Sequence, residues 1–99
     1  MLTYEITQKA DDDIFSAIAY IKNELYNVDA ARNLYAEIFK TIEDLTIFPE
    51  AYTIISRSRH VYRRAMVNNY KLIYYVEDNT VVIVRLYAPR QLVEEESNV

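Results

Sequence analysis

At Pro49 the spacing of apolar residues along this chain changes from a helical rhythm to a strand rhythm. Before it, Ile14, Ile18, Ile21 and Leu25 form one stripe, and Ala31, Leu34, Ile38, Ile42 and Leu45 form a second. Each predicts an amphipathic helix, the first over residues 8–26 and the second ending ahead of Pro49, because the residue before a proline avoids helical geometry. Thr7 is placed to cap the first helix, and Asn27 or Asp29 to turn the chain into the second. The connection between them is short, so they pair as an antiparallel hairpin. After Pro49, residues 50–60 read as an exposed loop. Three strand-like runs follow: Val61–Val67, Tyr70–Glu77 and Val81–Tyr87. Asn68-Asn69 and Asp78-Asn79 separate them, and with no glycine anywhere in the chain asparagine must supply the positive φ of tight hairpin turns. At the start, Leu2, Tyr4 and Ile6 alternate with polar residues, as in a strand with one buried face. Its backbone needs partners, so it must join the same sheet. The fold class expected is α+β in the order β-α-α-β-β-β. An N-terminal strand and an antiparallel helical hairpin precede a three-stranded antiparallel meander, in one mainly antiparallel sheet with helices on one face. Residues 1–91 make a single domain, and residues 92–99 an acidic, frayed tail.

Several function classes fall away on composition. Without glycine there is no phosphate-binding loop or dinucleotide fingerprint. Without cysteine there is no disulfide framework and no thiolate metal site. No run of apolar residues is long enough to span a membrane, and no apolar block of a signal peptide opens the chain, so a cytoplasmic protein is expected. The lone histidine, His60, has no second histidine or cysteine with which to share a metal, and it reads first as an exposed loop residue, second as a general base. Asp11, Asp12 and Asp13 suit the positive end of a helix dipole better than a metal cluster. Tyr20, Tyr35 and Tyr74 are expected to pack, hydroxyl outward. No metal and no cofactor are expected.

Charge is sorted along the chain. Residues 57–90 carry seven basic side chains against two acidic ones, inside a protein of net charge −4. Such a stretch is a candidate anion-binding face, and nucleic acid is the commonest large anion. Alternation puts Lys71, Ile73 and Tyr75 on one side of their strand and Leu72, Tyr74 and Val76 on the other. If Val82, Val84 and Leu86 pack on the helices, Arg85 and Tyr87 face outward with Lys71 and one of Arg63 and Arg64, and Arg90 lies at the rim. Guanidinium groups give phosphates paired donors, and the rings of Tyr75 and Tyr87 offer stacking surfaces. Arg57 and Arg59 extend the nucleic-acid-binding set into the loop. The plainer reading of the same residues is a solvated face with arginines paired to Glu77, Glu5 or the tail.

With these elements placed, the chain resembles the RelE/ParE superfamily of bacterial toxins from type II toxin–antitoxin modules. The resemblance runs through Thr7-x-Lys9-Ala10, Ile47-Phe48-Pro49-Glu50, Tyr62-Arg63-Arg64, Val67-x-Asn69-Tyr70-Lys71-Leu72-Ile73-Tyr74-Tyr75-Val76, Val81-Val82-Ile83-Val84-Arg85-Leu86 and Ala88-x-Arg90-Gln91. It implies a cognate antitoxin and one of two targets: the ribosome and its mRNA, cut by RelE-like members without a metal, or DNA gyrase, poisoned by ParE-like members. For cleavage it implies Arg63, Arg64, Lys71 and Arg90 around the scissile phosphate, stabilising charge that develops on its oxygens. The tyrosine that many RelE-like nucleases carry in a basic C-terminal helix is absent from the acidic tail. Tyr87 is the nearest substitute, with Tyr75, Tyr62 and His60 as other proton-transfer candidates. That departure, with the Arg85-Leu86-x-Ala88-x-Arg90-Gln91 ending, looks more like the ParE branch. A degenerate member that only binds its antitoxin is the third possibility.

Overall fold

The computed structural model describes residues 1–91, and the acidic tail, for which fraying was expected, lies outside the described residues. Strand β1 (Thr3–Ile6) leads into helix α1 (Gln8–Ala19), where the Thr7 hydroxyl accepts the Ala10 N–H at 3.2 Å as the N-cap. The first helix does not continue regularly to residue 26. It widens into a π-helical turn, Tyr20–Glu24, and ends as Tyr26 enters the left-handed region at φ 51°. Asn27 then caps helix α2 (Val28–Ile47) by accepting the Ala30 N–H at 3.0 Å.

Four strands follow rather than three: β2 (Thr53–Arg57), β3 (Val61–Val67), β4 (Tyr70–Glu77) and β5 (Thr80–Tyr87). The segment read as a loop therefore holds an edge strand. Its alternation is broken by an irregularity between Ile54 and Ser56, which hides the two-residue period from sequence. The sheet order is β1-β5-β4-β3-β2, with β1 parallel to β5 and every other pair antiparallel. Both inner hairpins turn on two residues at positive φ: Asn68 (48°) and Asn69 (74°), then Asp78 (50°) and Asn79 (60°). These are the side chains that tolerate this region best in a chain without glycine.

The helices cover one face of the sheet. Ile14, Leu34, Ile38, Ile42 and Leu45 pack there on Ala65, Val67, Leu72, Tyr74, Val81, Ile83 and Leu86. On the far face lies a second cluster: Tyr62, Ile73, Val82, Val84 and Tyr87, with Tyr75 against it. So the expected row of Val82, Val84 and Leu86 against the helices does not form. Tyr74 pairs with Ile83 but Ile73 with Arg85, leaving Val84 as an extra residue in β5. This bulge reverses which face the following residues serve: Val82 and Val84 lie on the far face while Leu86 joins the helix side. Tyr20 and Tyr35 pack only in part: both are about half exposed, and the Tyr35 ring lies 4.9 Å from that of Phe39.

Replacing Asn69 tests the turn chemistry. Asn69→Gly should leave stability equal or higher, whereas Asn69→Val should lower it by about 1–2 kcal/mol in urea denaturation. Ile38→Ala, at a position with no exposed surface, should cost about 2–5 kcal/mol in the same assay.

Candidate cationic face of the sheet

Strand alternation distributes the basic residues between the two faces. Arg64 and Lys71 lie on the far face, where Arg64 stands opposite Ile73 and Met66 opposite Lys71. Arg85 follows the bulge, opposite Ile73, and Tyr87 stands opposite Lys71. Arg63 does not join them. It pairs across from Tyr74 on the helix side, and its Nη1 donates to the carbonyls of Glu50 (3.2 Å) and Tyr52 (2.8 Å).

Each far-face cation has a distinct environment. Arg85 is held by Asp13 of α1: its Nε donates to Oδ2 at 2.7 Å and its Nη2 to Oδ1 at 3.2 Å. The guanidinium also lies 4.7 Å from the centroid of the Tyr87 ring. Its charge is thus neutralised within the chain, contrary to the outward-facing role expected for it. Lys71 Nζ donates to the Gln91 carbonyl at 2.8 Å, which ties β4 to the turn holding Arg90. Arg90 is exposed at φ 72° in that turn, which closes through a Gln91 N–H bond to the Ala88 carbonyl and an Ala88 N–H bond to the Gln91 side chain. Arg64 Nε is buried and has no hydrogen-bond partner among the described residues. A guanidinium with an unsatisfied buried donor is an energetic liability unless a ligand or partner supplies the acceptor.

Tyrosines were the expected source of proton transfer. Tyr87 has no exposed surface. Tyr75 stacks on His60, with ring centroids 3.8 Å apart and planes 10° apart, and Tyr62 meets both edge-on. Burial raises the Tyr75 phenol above its ordinary value, and Glu77, Tyr62 and Glu5 add to the rise. That rise disfavours the phenolate, the form a general base would need. His60 is not a bare loop residue. Besides the stacking, its Nδ1 lies 3.8 Å from Glu77. Arg57 and Arg59 sit on and beside β2, away from Lys71, at the end of the sheet beyond α2.

Asp13 is the residue of this face that sequence reasoning passed over. It was read with Asp11 and Asp12 as dipole chemistry, yet it also accepts the Leu86 N–H at 2.9 Å. No local spacing marks it, because its partner lies 72 residues away. The cap residue points to the same strand, since Thr7 Oγ1 donates to the Val84 carbonyl at 3.2 Å. Among the described residues there is no grouping of three or more His, Cys, Asp or Glu able to hold a metal ion, and no helix long and apolar enough to cross a membrane.

The family model described as ParE toxin of the type II toxin–antitoxin system parDE matches residues 4–92. No curated protein matches the chain in sequence. Among solved structures, the chain is similar to the chromosomal ParDE toxin–antitoxin system from P. aeruginosa, with TM-score 0.74 and 15% identity over 91% of this chain and 98% of that one. It is also similar to a copper-bound mutant toxin from Helicobacter pylori, with TM-score 0.60 and 16% identity over 94% of this chain and all of that one. A conserved hypothetical protein from Helicobacter pylori shares the fold at TM-score 0.53 and 14% identity over the same share of this chain.

Removing the Asp13 carboxylate strips Arg85 of its partner and Leu86 of its acceptor. Asp13→Ala should lower unfolding free energy by roughly 2–4 kcal/mol in chemical denaturation, and Arg85→Ala should also destabilise. A second test uses Tyr74, whose phenol donates to the Pro49 carbonyl at 2.5 Å and is pushed up to about 12 by burial, with Arg63 opposing and Tyr52 adding. The unfolded chain releases this proton near 10. The contribution is therefore complete below pH 10 and disappears as pH climbs towards 12. Urea titrations across that interval should show stability falling with pH, and less steeply in Tyr74→Phe.

Proposed function

We propose that this chain, which belongs to the ParE toxin family of type II toxin–antitoxin systems, arrests growth by binding and poisoning DNA gyrase rather than by cutting mRNA. One observation carries the choice. Among the described residues the groups expected to transfer protons are poorly presented for it: Tyr87 is fully buried, the Tyr75 phenol is raised, and His60 is stacked on Tyr75 with its Nδ1 3.8 Å from Glu77. Cleavage of RNA by its own 2′-oxygen needs a base for that hydroxyl and an acid for the leaving oxygen as well as charge stabilisation. The split of the expected clamp supports the same reading, with Arg63 on the helix side and Arg85 neutralised by Asp13. In the absence of its cognate antitoxin the toxin engages its target by surface contact.

The RelE-like reading keeps one observation in its favour. Arg64 and Lys71 share a face, and the buried Arg64 Nε lacks an acceptor that a phosphate oxygen would supply. The test is expression of the full chain in a sensitive host, with supercoiling assays and mapping of mRNA 5′ ends in parallel. Inhibited supercoiling and trapped gyrase–DNA complexes, without discrete mRNA ends, are expected. Codon-phased cuts abolished in Arg64→Ala would replace this reading with ribosome-dependent cleavage. A folded, well-expressed and harmless chain would leave a family member that only binds its antitoxin.

A further inference from the structure

Helix α2 stops at Ile47, and the chain turns away at Pro49 before the sheet ends. Beyond that point no described helix covers the helix side of β2, β3 and β4, and Val61 and Val76 are each about 40% exposed there. A concavity of about 470 Å³ occupies the uncovered corner. Arg57, Arg59, His60 and Arg63 line it, with Pro49 and Glu50 on one wall. It lies on the face of the sheet opposite Arg64 and Lys71, so it is separate from the cationic face described above.

Two features set this corner apart from an ordinary wet surface. First, its central cation is fixed. The two carbonyl bonds to Arg63 hold that guanidinium in place without neutralising its charge, since carbonyls accept hydrogen bonds but carry no net charge. The floor beneath is fixed as well, because the Tyr74 hydroxyl is committed to the Pro49 carbonyl. Second, Arg57 and Arg59 form no ion pair or side-chain hydrogen bond with any described residue. Among the described residues, three guanidinium groups thus line one hollow with one carboxylate, Glu50, while Glu77 stands behind His60 at its border, in a protein that is acidic overall. A low-dielectric wall around concentrated like charge focuses a positive potential into the hollow. Its volume falls within the range of pockets that take small molecules.

We propose that this corner is a binding site for phosphate groups of nucleotide size. Arg57 and Arg59 close on the phosphate oxygens, Arg63 supplies fixed charge at the base, and His60 borders the site. Guanidinium favours tetrahedral oxyanions through paired N–H donors. The phosphate comes either from a free nucleotide or from a polynucleotide backbone. The site does not depend on which target the toxin arrests.

Calorimetric titration of the full chain with inorganic pyrophosphate, ATP and a short oligothymidylate tests the assignment, at low and at physiological salt. Saturable binding that weakens with salt is expected. Arg57→Glu with Arg59→Glu should weaken it by about tenfold or more, with an unchanged thermal melt because both side chains are exposed. Arg32→Glu, at an exposed position of α2, should leave it unaltered. Tighter binding of oligothymidylate identifies a polynucleotide backbone as the source, and tighter binding of ATP a free nucleotide. Three results would overturn the proposal: no saturation by any probe, equal weakening in Arg32→Glu, or equal competition by a polyglutamate peptide, which would make the chemistry that of carboxylates.

Discussion

The carboxylate of Asp13 ties the first helix to the last strand, and the arrangement of both sheet faces depends on that tie. Strand β1 is only four residues long and pairs with β5 from Thr80 to Ile83. Beyond it the edge of β5 would be left without partners. Thr7 and Asp13 take over where the strand ends: Thr7 bonds the Ile83 and Val84 carbonyls, and Asp13 accepts the Leu86 N–H. The start of α1 thereby acts as a continuation of β1, built from a backbone N–H, a hydroxyl and a carboxylate. This satisfies backbone groups that a buried edge could not leave unpaired. It also fixes Arg85, so the same carboxylate that completes the sheet removes one cation from the field of the far face.

Much of the architecture was legible because local and global signals agree. The two helical stripes, their Thr7 and Asn27 caps, the positive-φ pairs at Asn68-Asn69 and Asp78-Asn79, and the two sides of β4 all follow from residue spacing alone. What escaped were breaks in period. The bulge at Val84 turns a uniform Val82-Val84-Leu86 row into residues of two different faces, and nothing local distinguishes the inserted valine from its neighbours. The irregularity near Ile55 hides β2 in the same way. For the candidate site, strand alternation put Lys71 and Leu72 on opposite sides of β4. It could not resolve the sides on which Arg63 and Arg64 fall, because adjacent residues on a strand are equally good candidates until the register is known. Asp13 was invisible for another reason: its partner lies 72 residues away.

The faces carry different chemistry as a result. The far face combines a buried apolar cluster, the stacked His60–Tyr75 pair and the Arg64–Lys71 cations. The helix side carries the main core and, past the end of α2, a corner of arginines. His60 touches both, since its ring stacks on Tyr75 and also lines that corner.

The parallel pairing of β1 with β5 has a consequence for how the molecule is made. The hairpins β3–β4 and β4–β5 close loops of two residues, so they form with little loss of chain entropy. The Thr3–Thr80 contact spans 77 positions, and such non-local pairings are slow to form. During synthesis the N-terminal strand has no place in the sheet until β5 has emerged. A ribosome that stalls before β5 therefore releases a fragment that cannot complete its fold. Closure of the sheet waits on the emergence of β5.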